Sequence, residues 1–172
     1  MMKVIGSQIY QYVKLVVVCW IAIAAVIVLT PASAEAASAT PKVMSEAMPE
    51  IVVYRDPSCS CCGGWMEHLE TQGFQVTNTP TPDVDALKQQ YGIPDDLTSC
   101  HTAIVDGYVV EGHVPAEDIQ RLLAERPNIV GIAVPGMPVG TPGMESGDER
   151  ESFTVFSFDE EGDTEVFNHY SF

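Results

Sequence analysis

Three of the five cysteines in this chain stand within four positions, Cys59-Ser60-Cys61-Cys62, immediately before a segment with helical patterning. A thiol at a helix N-terminus lies against unsatisfied backbone N–H groups and the positive end of the helix dipole, which favours thiolate. Thiolate is both the form that attacks disulfides and the form that binds metals. Cys59 and Cys62 have the two-residue spacing of a redox dithiol, but Cys61 is inserted between them. A dithiol oxidoreductase needs one attacking and one resolving sulfur, and a third adjacent thiol invites wrong pairings and over-oxidation. A soft metal gains from every added sulfur. As scaffolding the cluster is poor: adjacent Cys61 and Cys62 pair only with distortion, and crosslinks between near neighbours constrain little of the unfolded chain.

Cys100 supplies a fourth sulfur if folding returns it to the trio. Four thiolates can close a tetrahedral zinc site or hold Cu(I), which selects thiolate and thioether, with adjacent thiolates bridging several ions. Vicinal Cys61 and Cys62 suit bridging better than one tetrahedron, and the second Cys-x-x-Cys usual in structural zinc sites is absent from the sequence. His101 adjoins Cys100, but neighbours on a strand point to opposite faces, so it is a ligand only where the chain bends there. His113, in Glu111-Gly112-His113-Val114-Pro115, reads as a capping or solvent residue, and His68 and His169 as surface or packing residues. Met137 and Met144 share a loop of glycines and prolines with little core to fill, which leaves thioether coordination open. Met44 and Met48 sit in a tether and carry less weight. Other templates fail: no Gly-x-Gly-x-x-Gly follows a strand, no phosphate loop is present, and Asp95-Asp96 reads as turn chemistry.

The elements that must position these residues follow from periodicity. Residues 51–54 form a β-branched run suited to a buried strand. From Gly64, the residues Trp65, Met66 and Leu69 fall on one helical face, and Gly73 marks the helix end. Residues 74–77 make a second strand, and 83–90 a helix with Val84, Leu87 and Tyr91 on one face. Residues 101–105 and 108–111 are strands joined by Asp106-Gly107, the strongest signal for a two-residue hairpin turn. A helix from Pro115 carries Ile119, Leu122 and Leu123. A turn-rich loop over 134–144 leads to a terminal hairpin of 153–158 and 164–167. The order βαβ then ββα predicts an α/β, thioredoxin-like arrangement with a C-terminal hairpin extension. Its turn into the third strand would pack beside the cysteine loop.

At the N-terminus, Lys3 and Lys14 precede an unbroken apolar run over 15–29, and Ala32-Ser33-Ala34 offers small residues where a signal peptidase reads. The run is short of the ~20 residues that span a bilayer. The expectation is a signal peptide over 1–34, a flexible linker over 35–50 and one domain over 51–172, with Cys19 discarded and no stable membrane insertion after cleavage. The mature chain then holds 24 acidic against 6 basic side chains, a net −18. Such a surface repels nucleic acid and anionic membrane, so neither is an expected partner.

Several stretches together resemble the CopG-type family of exported bacterial metal-binding proteins: Tyr54-Arg55-Asp56-Pro57-Ser58-Cys59-Ser60-Cys61-Cys62, Ser99-Cys100-His101-Thr102-Ala103, residues 107–116, and Ala133-Val134-Pro135-Gly136-Met137-Pro138. The resemblance runs from about Ile51 to the chain end. It implies a thioredoxin-like fold, a periplasmic location, a part in copper resistance, and Cys59, Cys61, Cys62 and Cys100 bridging several copper ions, with interconversion of copper oxidation states. Gly63-Gly64 departs from it, since relatives are expected to be more basic there. The expectation for this chain is a periplasmic protein holding a Cu(I) cluster on Cys59, Cys61, Cys62 and Cys100, with His101 and Met137 at the site. Zinc fits less well, and other periplasmic copper-handling or redox proteins are the expected partners. The rival reading is a thiol-disulfide oxidoreductase using Cys59 and Cys62. A third, blander one is a secreted domain with one structural disulfide and two spare thiols.

Overall fold

A computed structural model of the chain describes residues 48–172. The expected signal peptide and Cys19, Met44 and the expected linker as far as residue 47 lie outside the described residues. The described chain is a mixed α/β structure of seven strands and three helices. The elements are β1 (Glu50–Arg55), α1 (Cys61–Thr71), β2 (Gln75–Pro80), α2 (Val84–Gln90), a single 3-10 turn (Asp95–Leu97), β3 (His101–Val105), β4 (Tyr108–Glu111), α3 (Ala116–Glu125), β5 (Gly131–Ala133), β6 (Phe153–Phe158) and β7 (Thr164–Tyr170).

All seven strands form one sheet in the order β2-β1-β3-β4-β5-β6-β7. The β1/β2 and β4/β5 pairs are parallel and each is bridged by a helix; the other pairs are antiparallel. Side chains of period two divide the sheet into two faces. Ile51 and Val53 of β1 and Ala103 and Val105 of β3 pack with Trp65 and Leu69 of α1 and Ile119 and Leu122 of α3. The opposite face is sealed by Ile93 and Leu97, which meet Val109, Ala133 and Phe158.

Four elements depart from the sequence-based expectation: β2 and β7 each run three residues beyond their expected ends, to Pro80 and Tyr170, and α1 and β5 differ more. α1 begins at Cys61, three residues before Gly64, so Cys61 and Cys62 lie in its first turn. β5 is an unforeseen strand; three residues are too few to show a period. Gly131 is required there, because a Cβ would stand 2.1 Å from the Val109 carbonyl oxygen on the neighbouring strand.

Candidate metal centre

The cysteine loop is held from below by Arg55 at the end of β1. Its guanidinium donates to the carbonyl oxygens of Asp56 (3.1 Å), Pro57 (3.3 Å) and Cys59 (3.5 Å), and to Asn78 Oδ1 on β2 (3.1 Å). Asp56 folds the loop: its carboxylate accepts from the Ser58 amide at 2.7 Å and from the Ser58 hydroxyl, and its carbonyl accepts from Cys59 N at 3.0 Å. These bonds hold the Asp56 carboxyl below the usual carboxylate range. The loop therefore enters α1 with Cys59 just outside the helix.

The second half of the site comes from the β3–β4 hairpin. Thr102 pairs with Glu111 in the register, and continuing that register beyond the strand ends sets Cys100 opposite His113. Gly112 makes the exit possible. Its φ of +75 is favourable only for glycine, and a Cβ there would stand 2.5 Å from the Val134 carbonyl oxygen.

The two halves meet at sulfur. Cys100 Sγ lies 3.8 Å from Cys61 Sγ and 3.7 Å from Cys62 Sγ, and Cys61 Sγ lies 3.5 Å from Cys59 Sγ. All four sulfurs lie within 4.8 Å of one another. The structure holds the set in an oxidised form: Cys59 and Cys62 are joined by a disulfide, and Cys61 and Cys100 are free. At a metal–thiolate distance of about 2.3 Å, sulfurs 3.8 Å apart subtend about 110° at a shared ion, within the range of trigonal and tetrahedral sites.

Nitrogen and thioether donors surround Cys100 and Cys61. His101 Nδ1 is 3.3 Å and His113 Nε2 3.4 Å from Cys100 Sγ, and Met137 Sδ is 3.9 Å from Cys61 Sγ. The expectation that His101 would join only at a bend is answered by Cys100, which lies just before β3 begins. His101 is fully buried between the rings of Trp65 (centroids 4.3 Å) and His113 (5.1 Å), and its Nε2 has no hydrogen-bond partner among the described residues.

His113, read from sequence as a capping or solvent residue, is also fully buried and at the site. Its Nδ1–H donates to the Pro142 carbonyl oxygen at 2.7 Å, which leaves the Nε2 lone pair facing Cys100. Metal-ligating histidines are held in this manner. The hairpin turn at Asp106-Gly107 contained the signal, since a two-residue loop fixes which residues oppose each other as far as 100 and 113. His68 Nε2 accepts from Ala116 N at 3.3 Å at the start of α3, and His169 bonds Thr154 on the surface. Both act in packing, as expected.

The 134–144 loop lies over the start of α1. A Cβ on Gly143 (φ +82) would stand 2.4 Å from Trp65 N, and one on Gly64 2.9 Å from the Gly143 Cα; a Cβ on Gly63 meets nothing within 4 Å. Gly64 is thus the closely packed member of the pair. The loop thereby brings Met137 and the Pro142 carbonyl to the site. Met137 stays half exposed, whereas Met144 serves the turn through its backbone, pairing with Gly140 and Thr141.

Burial controls the protons. It pushes the Cys100 thiol up to about 12, with the neighbouring Cys61 adding to the shift. Burial also lowers His113, and it holds His101 well below the ordinary imidazole value, aided by the adjacent His113 and Lys88. Both imidazoles are therefore neutral near pH 7 and keep a lone pair, while the Cys100 proton must leave before that sulfur binds an ion.

Comparison with known proteins follows the same outline. A family model described as a protein of unknown function, DUF411, matches residues 97–144. Two solved structures, described as copper resistance protein copG in two forms, are each 47% identical to this chain and cover 72% of it. The matches take in 99% and 98% of those chains, with TM-scores of 0.69 and 0.68. No curated protein matches this chain.

Proposed function

The chain belongs to the family of the copper resistance protein copG, and from that premise we propose that it binds Cu(I) in a multinuclear cluster bridged by Cys59, Cys61, Cys62 and Cys100. One observation carries this reading: the Cys100 sulfur, 39 residues from Cys61 in sequence, lies 3.8 Å from it. His101, His113 and Met137 complete the set. Soft sulfur donors favour Cu(I) over the harder divalent ions, and neutral imidazoles add no charge to a thiolate-rich cluster. The thioredoxin-like reading of the fold agrees with the parallel β1–α1–β2 unit, the antiparallel β3–β4 hairpin and α3. The work is done in the periplasm, where the expected signal peptide would deliver the chain and where copper-handling or redox proteins are its partners.

The same residues support redox work on copper. Joining the Cys59 and Cys62 thiolates into their disulfide releases two electrons, which reduce two Cu(II) to two Cu(I). Cys61, Cys100, His113 and Met137 remain to hold the product. A second reading, thiol-disulfide exchange with a protein substrate, is favoured by the Cys59–Cys62 disulfide at the N-terminus of an 11-residue helix.

Anaerobic Cu(I) titration of the reduced protein separates the two. The copper reading predicts several ions per chain, most of them lost in Cys100→Ser. The exchange reading predicts disulfide reductase activity that survives Cys100→Ser and disappears in Cys59→Ser. One zinc per purified chain would overturn the copper assignment.

A further inference from the structure

Against the residues on either side of Cys100-His101 lies a charged network that the metal chemistry does not use. Glu111 is fully buried, and Lys88 is 5% exposed. Their side chains form an ion pair. The Glu111 carboxylate also accepts from the Ser99 amide at 2.6 Å, the Ser99 hydroxyl at 2.7 Å and the Thr102 hydroxyl at 2.6 Å. Lys88 Nζ donates in addition to Thr102 Oγ1 at 3.1 Å. The residues it grips, 99 and 102, bracket Cys100-His101 on both sides.

A buried ion pair is a weak source of stability, because desolvation of two charges offsets their attraction; apolar replacements of similar size are often neutral or stabilising. A pair retained at this position therefore calls for another role. Fold stability alone does not require a carboxylate with four donors aimed at the two residues flanking Cys100. An apolar side chain would fill the volume and leave the Ser99 amide without its acceptor.

We propose that the Lys88–Glu111 pair is a positioning device for Cys100, clamping Ser99 and Thr102 so that the sulfur faces Cys61, Cys62 and His113. The proposal rests on the copper reading above. Glu111, Gly112 and His113 then form one unit: the first holds the Cys100 segment through Ser99 and Thr102, the second permits the close approach, and the third places its Nε2 3.4 Å from the sulfur. Lys88 keeps that unit electrically neutral, so no uncompensated carboxylate lies behind a thiolate.

The test uses Lys88→Met/Glu111→Leu, since removing one partner alone would strand a buried charge and unfold the protein. The double variant is expected to stay folded but to melt below the wild type, because the Ser99 amide and the Thr102 hydroxyl lose their acceptor. Its Cu(I) affinity is expected to fall about 10- to 100-fold, the usual cost of losing a group that orients a ligand. The near-ultraviolet Cu(I)–thiolate band should shift, and Cys100 in the metal-free protein should alkylate faster with iodoacetamide. Lys88→Met/Glu111→Gln keeps a neutral acceptor for Ser99 and is expected to recover most of the affinity; it replaces the first variant if that one fails to fold. In a Cys100→Ser background the double substitution should cost nothing further, because the two act through the same atom. A folded double variant with wild-type affinity and alkylation rate would overturn the proposal, as would an equal loss in the Cys100→Ser background. If the wild type itself binds no Cu(I), the copper reading falls, and the alkylation rate alone decides whether the pair positions Cys100.

Discussion

The two halves of the centre are built on different terms. Cys59 and Cys61 are half-buried in a loop and a first helical turn, held by Arg55 and an Asp56 turn at the surface. Cys59 and Cys62 of this half are joined by a disulfide. The Cys100 half is set into the core: His101, His113 and Glu111 are wholly inaccessible, and the segment is clamped at both ends. Cys62 is fully buried and Cys100 only half-buried, so the halves differ less in the exposure of their sulfurs than in what holds them: a surface turn on one side, a buried network of hydrogen bonds on the other. Under the proposed redox function, the helix half would supply the electrons and the hairpin half would anchor the ion.

The largest expected effect tests that division directly. Cys100→Ser should weaken Cu(I) binding more than about 100-fold, measured against a chromophoric chelator in the reduced protein, and Cys59→Ser should cost less. Equal losses would erase the distinction between anchor and switch. His113→Ala is expected to cost about 10- to 100-fold, while His68→Ala, which loses a cap on α3, should leave Cu(I) affinity unchanged.

A sharper structural contrast separates the glycines at the junction. Gly143→Ala combines a positive φ with a clash against α1 and should destabilise the fold by about 1–3 kcal/mol. Gly63→Ala meets open space inside a helix and should be neutral or stabilising by up to about 1 kcal/mol. Urea unfolding of the two variants decides this.

A proton linkage is confined to the anchor. His101 is lowered in the folded state, so below its unfolded value near 6.5 the unfolded chain binds the extra proton. The stability of the metal-free protein should therefore fall as pH drops from about 6.5 toward the lowered folded value, by up to about 1.4 kcal/mol per pH unit for this group. His101→Gln should remove that part of the slope. A wild-type stability independent of pH between 6.5 and 5 would place the charge elsewhere.

The difference between the halves also explains what the sequence disclosed. Cys59, Cys61 and Cys62 are legible because their chemistry depends on neighbours in the chain, and the hairpin turn and both crossover helices carry strong local signals. The anchor is non-local. His113 looked like the end of a strand until the register from Asp106-Gly107 was counted outward to Cys100. Lys88 occupies the position four after Val84, on the inward face of α2, yet a lysine there ordinarily reads as solvated; only the facing Glu111 explains its burial. The α1 start was obscured because Gly63-Gly64 interrupts helix propensity just where the helix begins.

X-ray absorption at the copper edge of the reduced, Cu(I)-loaded protein probes the convergence of the two halves most directly. The account predicts a sulfur-dominated shell with a copper–copper vector, both reduced when Cys100 is replaced by serine. A shell of nitrogen and oxygen alone, or a sulfur shell identical in wild type and Cys100→Ser, would contradict it.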